Sequence, residues 1–281
     1  MSSLGESRPR GDQLRFSWRV ALVLVILIPL ATLAVLPYSL TMQGGLPAES
    51  QLPMPLWLII TLQIGTQALM YGAVAIVGLF LASRSGLGAP ILTGLLHGEP
   101  VGDRVRGMLL PSIALGVASG IIVIAADAVL FGPLLAEEMN RLGIDIPASQ
   151  LMPPAWQGFL ASFYGGIVEE ILLRLGLMTL IAWILKWFWH TPPPNPRPAA
   201  GAIWTANIIA AVLFGLGHLP ATFALGLPPD LLVISRAIIL NGVIGVTAGW
   251  LYWKHGIESA MVAHFSADIV LHVLTPLVLG A

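Results

Sequence analysis

Apolar residues run along this chain in long blocks rather than in alternation, and each block is closed by a short polar stretch rich in proline, glycine or arginine. The blocks cover residues 20–36, 56–82, 108–131, 159–189, 202–219, 231–253 and 257–279. A block of about 20 apolar residues is long enough to cross the hydrocarbon core of a bilayer as a helix, so the pattern predicts seven transmembrane helices. Pro153 and Pro154 open the fourth block, which from there to Trp189 would reach about 50 Å as a straight α-helix, beyond a core of about 30 Å. This segment must therefore tilt, break or begin at the interface, and splitting it would give eight spans.

The fold class that follows is all-α, a polytopic membrane helical bundle. Composition agrees: 57% of residues are hydrophobic and only 10% charged, which excludes an ordinary soluble domain. No Lys/Arg cluster has the density of a nucleic-acid patch, so no nucleic-acid partner is expected. The absence of cysteine excludes disulfides, thiol nucleophiles and Cys-based metal centres.

Charge in the loops predicts orientation. The N-terminal segment 1–19, with Arg8, Arg10, Arg15 and Arg19, falls on the same side as the loops 83–107 and 186–201 and as Lys254. By the positive-inside rule that side, and the N-terminus, is cytoplasmic. The first block reads as a retained span, because it is long for a signal-peptide core and no small-x-small cleavage site follows it. The organisation expected is a cytoplasmic segment 1–19, N-terminal spans in 20–150 and a functional core in 151–281. Tryptophans at span ends, among them Trp18, Trp57, Trp187 and Trp204, suit interfacial anchoring.

Ionisable residues inside the blocks carry the functional signal, since each costs about 2.5–3.5 kcal/mol at the centre of an inserting helix. They are Asp127, Glu169, Glu170, Arg174, His218, His264, Asp268 and His272. Glu170 and Arg174 stand four apart and can pair along a helix, which leaves Glu169, rotated by about 100°, for other work. A structural ion pair between helices would explain Glu170 and Arg174 but not Glu169. Phe214-Gly215-Leu216-Gly217-His218 ends the fifth span, and its glycines are expected to admit a close neighbour. His264 and Asp268 share a helical face, and His272 continues it by one turn. Asp127 is expected near the outer interface. His97, His190 and His255 are expected to be solvated, Phe214 to be packing, and Asn207, Asn241, Gln63 and Gln67 to be interhelical hydrogen-bonding groups.

Carboxylates and imidazoles brought together from several helices can activate water and stabilise an oxyanion without a nucleophilic side chain. Two Glu, two His and an Asp could also ligate zinc with a position open for water. No HExxH or HxxEH pattern is present, so a zincin-type site is not indicated.

The sequence EEILLR (Glu169 to Arg174), the FxxxH of Phe214 to His218 and the HxxxD of His264 to Asp268 occur in that order, each in an apolar span. Together they resemble the CPBP family, which comprises the type II CAAX prenyl endopeptidases and bacteriocin-processing, Abi-like relatives. The resemblance covers about the last 110 residues. It implies an intramembrane endopeptidase acting on a membrane-anchored or lipidated polypeptide, with membrane lipid as its surroundings and no cofactor, zinc being the alternative. It implies six catalytic-site residues: Glu169 as the base that activates water, His218 orienting that water, Glu170 supporting the base and pairing with Arg174, and His264 with Asp268 on the oxyanion side. Asp268 stands where the prenyl endopeptidases often have Asn. An ionised Asp cannot donate a hydrogen bond, so it is suited instead to orienting His264. Two other functions remain in view, a non-catalytic immunity or scaffold protein and a proton-coupled transporter using the same carboxylates and histidines. Measured from the span ends, His218 and His264 fall at different depths, which the motif reading does not expect.

Overall fold

The computed structural model describes residues 16–46, 52–189 and 197–279, and these form helices joined by short loops. Most of the arginine-bearing N-terminal segment, Glu49, His190 and the prolines of the 191–196 linker lie outside the described residues. Six helical stretches are long and apolar enough to cross a membrane: Trp18–Met42, Leu56–Ser83, Gly102–Leu142, Ala200–Ala224, Leu231–His255 and Ile257–Leu279. The protein is an all-α integral membrane bundle. In it α1 (Trp18–Met42) pairs with α2 (Leu56–Ser83), α9 (Ala200–Gly217) with α11 (Leu231–His255), and α4 (Gly102–Ala126) with α12 (Ile257–Asp268).

The carboxylate-bearing block is neither a straight span nor a pair of separate helices. Between α7 (Ala155–Phe163) and α8 (Thr179–Leu185) the chain stays helical but widens into two π-helical turns, π2 (Tyr164–Glu169) and π3 (Ile171–Met178). Glu170 stands between them. Hydrogen bonding from i to i+5 fits more residues into each turn, so a long segment is accommodated in a shorter length. Thr179 helps hold the wide winding: its hydroxyl donates to the carbonyl of Arg174, five residues back, at 2.9 Å, and lies 2.7 Å from the Tyr252 hydroxyl on α11. Two other π turns, π1 (Asp127–Phe131) and π4 (Ile269–Leu274), also begin at or next to an intramembrane acid, Asp127 and Asp268. Regular α periodicity gives no sign of this winding.

Small residues bring the helices close to one another. A side chain at Gly245 or Gly249 of α11 would meet Ala211 or Asn207 of α9, so this Gly-x-x-x-Gly pair lets the two backbones approach closely. Of the two glycines expected to admit a neighbour before His218, Gly215 does so against Ile238 of α11. Gly217 does not, because a Cβ there would meet nothing within 4 Å.

Two membrane-embedded charges escape the sequence reading, and one expectation is corrected. Asp127 does not stand alone at the interface. The Arg236 guanidinium of α11 donates to both its carboxylate oxygens, at 2.7 and 2.6 Å, and both side chains are 31% exposed. Glu258, at the start of α12, accepts from the backbone N–H groups of Ile91 and Leu92 at 3.0 and 2.7 Å, satisfying the first turn of α3 (Pro90–Leu96). The Ile257 N–H donates to the Gly88 carbonyl at 2.9 Å, and Ile257, Ser259 and Ala260 are buried. The first turn of α12 is thus covered by the α3 segment. Counting from the helix ends sets His218 and His264 apart, yet both rings meet that of Phe214, with centroids 4.8 and 5.5 Å away.

Candidate active site

The site forms where π2, π3, α9, α11 and α12 meet. Glu170 and Arg174 have no exposed surface. The Arg174 Nε lies 3.3 Å from Glu170 Oε2, and a terminal Arg174 nitrogen donates to the Gly245 carbonyl at 2.9 Å. Its guanidinium also lies 5.3 Å from the centre of the Phe214 ring. The buried guanidinium therefore has an ion pair, a backbone acceptor and an aromatic face, while its Nε and Nη1 and the facing Glu170 Oε2 make no hydrogen bond among the described residues.

Glu170 is occupied on its other side as well. His264 Nδ1 is 2.7 Å from Glu170 Oε1. A carboxylate facing a guanidinium serves as an acceptor, so Nδ1 donates to it and Nε2 faces the site. There Nε2 stands 3.6 Å from Glu169 Oε2 and 3.7 Å from Asp268 Oδ1. Both separations exceed a direct hydrogen bond and suit a group lying between them. Glu169 is the more accessible acid, its side chain 22% exposed where that of Glu170 is fully buried. Glu170 is thus engaged by Arg174 and His264, while Glu169 is the more open of the two.

Gly165 makes this approach feasible. A Cβ at that position would overlap Asp268 Oδ2 and come within 3.2 Å of His264 Nε2, so the backbone of π2 lies directly against the two side chains. Bare backbone at this point is a requirement of the site.

Phe214 is more than general packing. Its ring meets both histidines edge-on, with centroids 4.8 Å from His218 and 5.5 Å from His264. His218 caps α9 and is half-buried, and its Nδ1 donates to the Phe214 carbonyl at 2.9 Å, leaving Nε2 free. Glu169, Glu170, Arg174, His264 and Asp268 thus form one connected cluster, and His218 joins it through the Phe214 ring. The sequence reading did not include Tyr38 of α1, whose hydroxyl lies 3.0 Å from His272 Nδ1. A tyrosine near a span end gives no sign of such a role, since the same position suits interfacial anchoring.

Among the described residues, no group of three or more His, Cys, Asp or Glu side chains is arranged to hold a metal ion. Arg174 also places a fixed positive charge against Glu170, which opposes a dication at that carboxylate.

Residues 151–270 match the family model described as type II CAAX prenyl endopeptidase Rce1-like, consistent with the CPBP family to which the three motifs point. The matched region contains every residue of the connected cluster together with Phe214 and His218, while Tyr38 and His272 lie outside it. No curated protein and no solved structure matches the chain. Residues 151–270 are thus similar to a family of membrane-embedded proteases.

Proposed function

We propose that the protein is a glutamate-dependent intramembrane endopeptidase that hydrolyses a peptide bond of a membrane-anchored or lipidated polypeptide. The observation that carries this reading is the division of the two glutamates, one sealed between Arg174 and His264 and the other, Glu169, partly open beside His264 Nε2.

Water held between Glu169 and His264 Nε2 loses a proton to Glu169 as it attacks the scissile carbonyl. Glu170 holds the Nδ1–H of His264 so that Nε2 faces this water, and Arg174 pairs with Glu170. His218, which has Nε2 free, helps direct the water or the carbonyl. His264 enters this step with a proton on each ring nitrogen, the Nδ1–H on Glu170, and offers its Nε2–H first to the water and then to the developing oxyanion, with Asp268 orienting the ring. Glu169 then returns its proton to the leaving amine. No side chain becomes covalently attached, and no metal is required. The basic face is cytoplasmic in this reading.

The test is substrate-independent. Reconstituted wild-type protein and its Glu169→Gln variant are each incubated with detergent-free membranes, and new polypeptide termini are compared by mass spectrometry. Termini produced by the wild type alone are expected. Identical sets from both proteins overturn the proposal.

A further inference from the structure

A second group of side chains reaches the site from the far end of α1. The Tyr38 hydroxyl is 3.0 Å from His272 Nδ1, the two rings meet edge-on with centroids 5.4 Å apart, and His272 Nε2 lies 4.0 Å from Asp268 Oδ1. The same Oδ1 is 3.7 Å from His264 Nε2. Tyr38, His272, Asp268 and His264 therefore stand in series, starting from a helix that contributes nothing to the three motifs, with a hydrogen bond at the first link and charge-to-ring separations of 4.0 and 3.7 Å at the next two.

The chemistry favours one direction along this line. Asp268, when ionised, accepts only, so the stable arrangement has the proton of His272 on Nε2, facing that carboxylate. Nδ1 is then the acceptor and the Tyr38 O–H the donor. Few other charges act on this imidazole. Of the elements packed against π4, α7 and α13 (Thr275–Leu279) carry no titratable side chain, and those of α4 (Asp103, Arg104 and Arg106) stand in its first turns, far from Gly120, which meets Val270 of π4. On α12 the relevant groups are His264 and Asp268, Glu258 being engaged with α3 at the opposite end. His218 is the remaining titratable neighbour.

We propose that Tyr38 and His272 are positioning residues of the active site. Tyr38 fixes the tautomer of His272, and His272 sets the charge on Asp268 and through it the protonation of His264. This rests on the endopeptidase reading for its consequence in catalysis. The linkage itself can be measured without substrate. Helical spacing alone sets His272 one turn from Asp268, and an interhelical bond alone accounts for the Tyr38 contact, so the linkage to His264 is what separates the proposal from a purely structural role.

The experiment is 15N NMR of histidine-labelled protein in lipid nanodiscs, with ring signals assigned by His264→Gln and His272→Gln. Tyr38→Phe, which removes one oxygen, is expected to move the His264 titration midpoint by about 0.5 pH unit or more, and to leave it unmoved when Asp268→Asn has already broken the line. His272→Leu should reproduce the shift, whereas His272→Gln, which keeps an N–H donor, should largely restore the wild-type midpoint. In turnover assays on a farnesylated CAAX peptide, Tyr38→Phe is expected to lower kcat about tenfold at unchanged KM. A His264 titration that coincides in wild type and Tyr38→Phe, with only the His272 signals altered, overturns the inference. If the linkage appears while Glu169→Gln remains fully active, the endopeptidase reading alone fails.

Discussion

Removing Arg174 tests how the site is held together. The guanidinium is 1% exposed and its partner Glu170 not at all, so no solvent screening discounts their interaction. Arg174→Met keeps the length and apolar character of the stem but leaves the Glu170 carboxylate buried without its cation, and it removes the bond to the Gly245 carbonyl. Deleting one partner of a buried pair costs about 3–5 kcal/mol, chiefly through the stranded charge. The double variant Arg174→Met with Glu170→Gln strands no charge. Its amide oxygen still accepts from His264 Nδ1, so it should recover more than half of that loss. Reversible unfolding in mixed micelles or by steric trapping in bicelles would measure both. An Arg174→Met protein destabilised by less than about 1 kcal/mol, or a double variant no more stable than the single, would refute the claim that this pair anchors the site.

Other expectations follow from the same geometry. Gly165→Ala would press a methyl group into Asp268 and His264, and should cost about 1–3 kcal/mol and at least about tenfold in kcat, read by unfolding and by peptide cleavage. The half-exposed, bidentate Asp127–Arg236 pair should give a coupling energy of about 0.5–1 kcal/mol in a double-mutant cycle using Asp127→Asn and Arg236→Gln, with peptide cleavage unchanged. Chelation followed by dialysis should leave peptide cleavage intact, whereas loss on chelation and recovery with zinc would replace the metal-free mechanism.

Six of the seven expected spans were legible because bilayer thickness imposes a length on any apolar helix, and the Glu170–Arg174 pair because an ion within such a helix must find a partner. Arg236 could have been found by the same logic, as a lone cation in an apolar span and the natural partner for the unexplained Asp127. The two are 109 positions apart, and only the packing of α4 against α11 shows that they meet. The π winding around Glu170 was not legible, because apolar residues on every face of the span leave no periodicity from which to read a change of pitch. Counting residues from helix ends could not show that His218 and His264 come together, which their shared contact with the Phe214 ring does.

The most direct test of the account is the turnover of Glu169→Gln beside Glu170→Gln, both in proteoliposomes with a farnesylated CAAX peptide and both checked for thermal stability. Glu169→Gln is expected to fold normally and lose about 10²–10⁴-fold in kcat, the range of a general base, while Glu170→Gln loses stability and activity together. A Glu169→Gln enzyme that turns over like the wild type would contradict the assignment of Glu169 as the group that activates water.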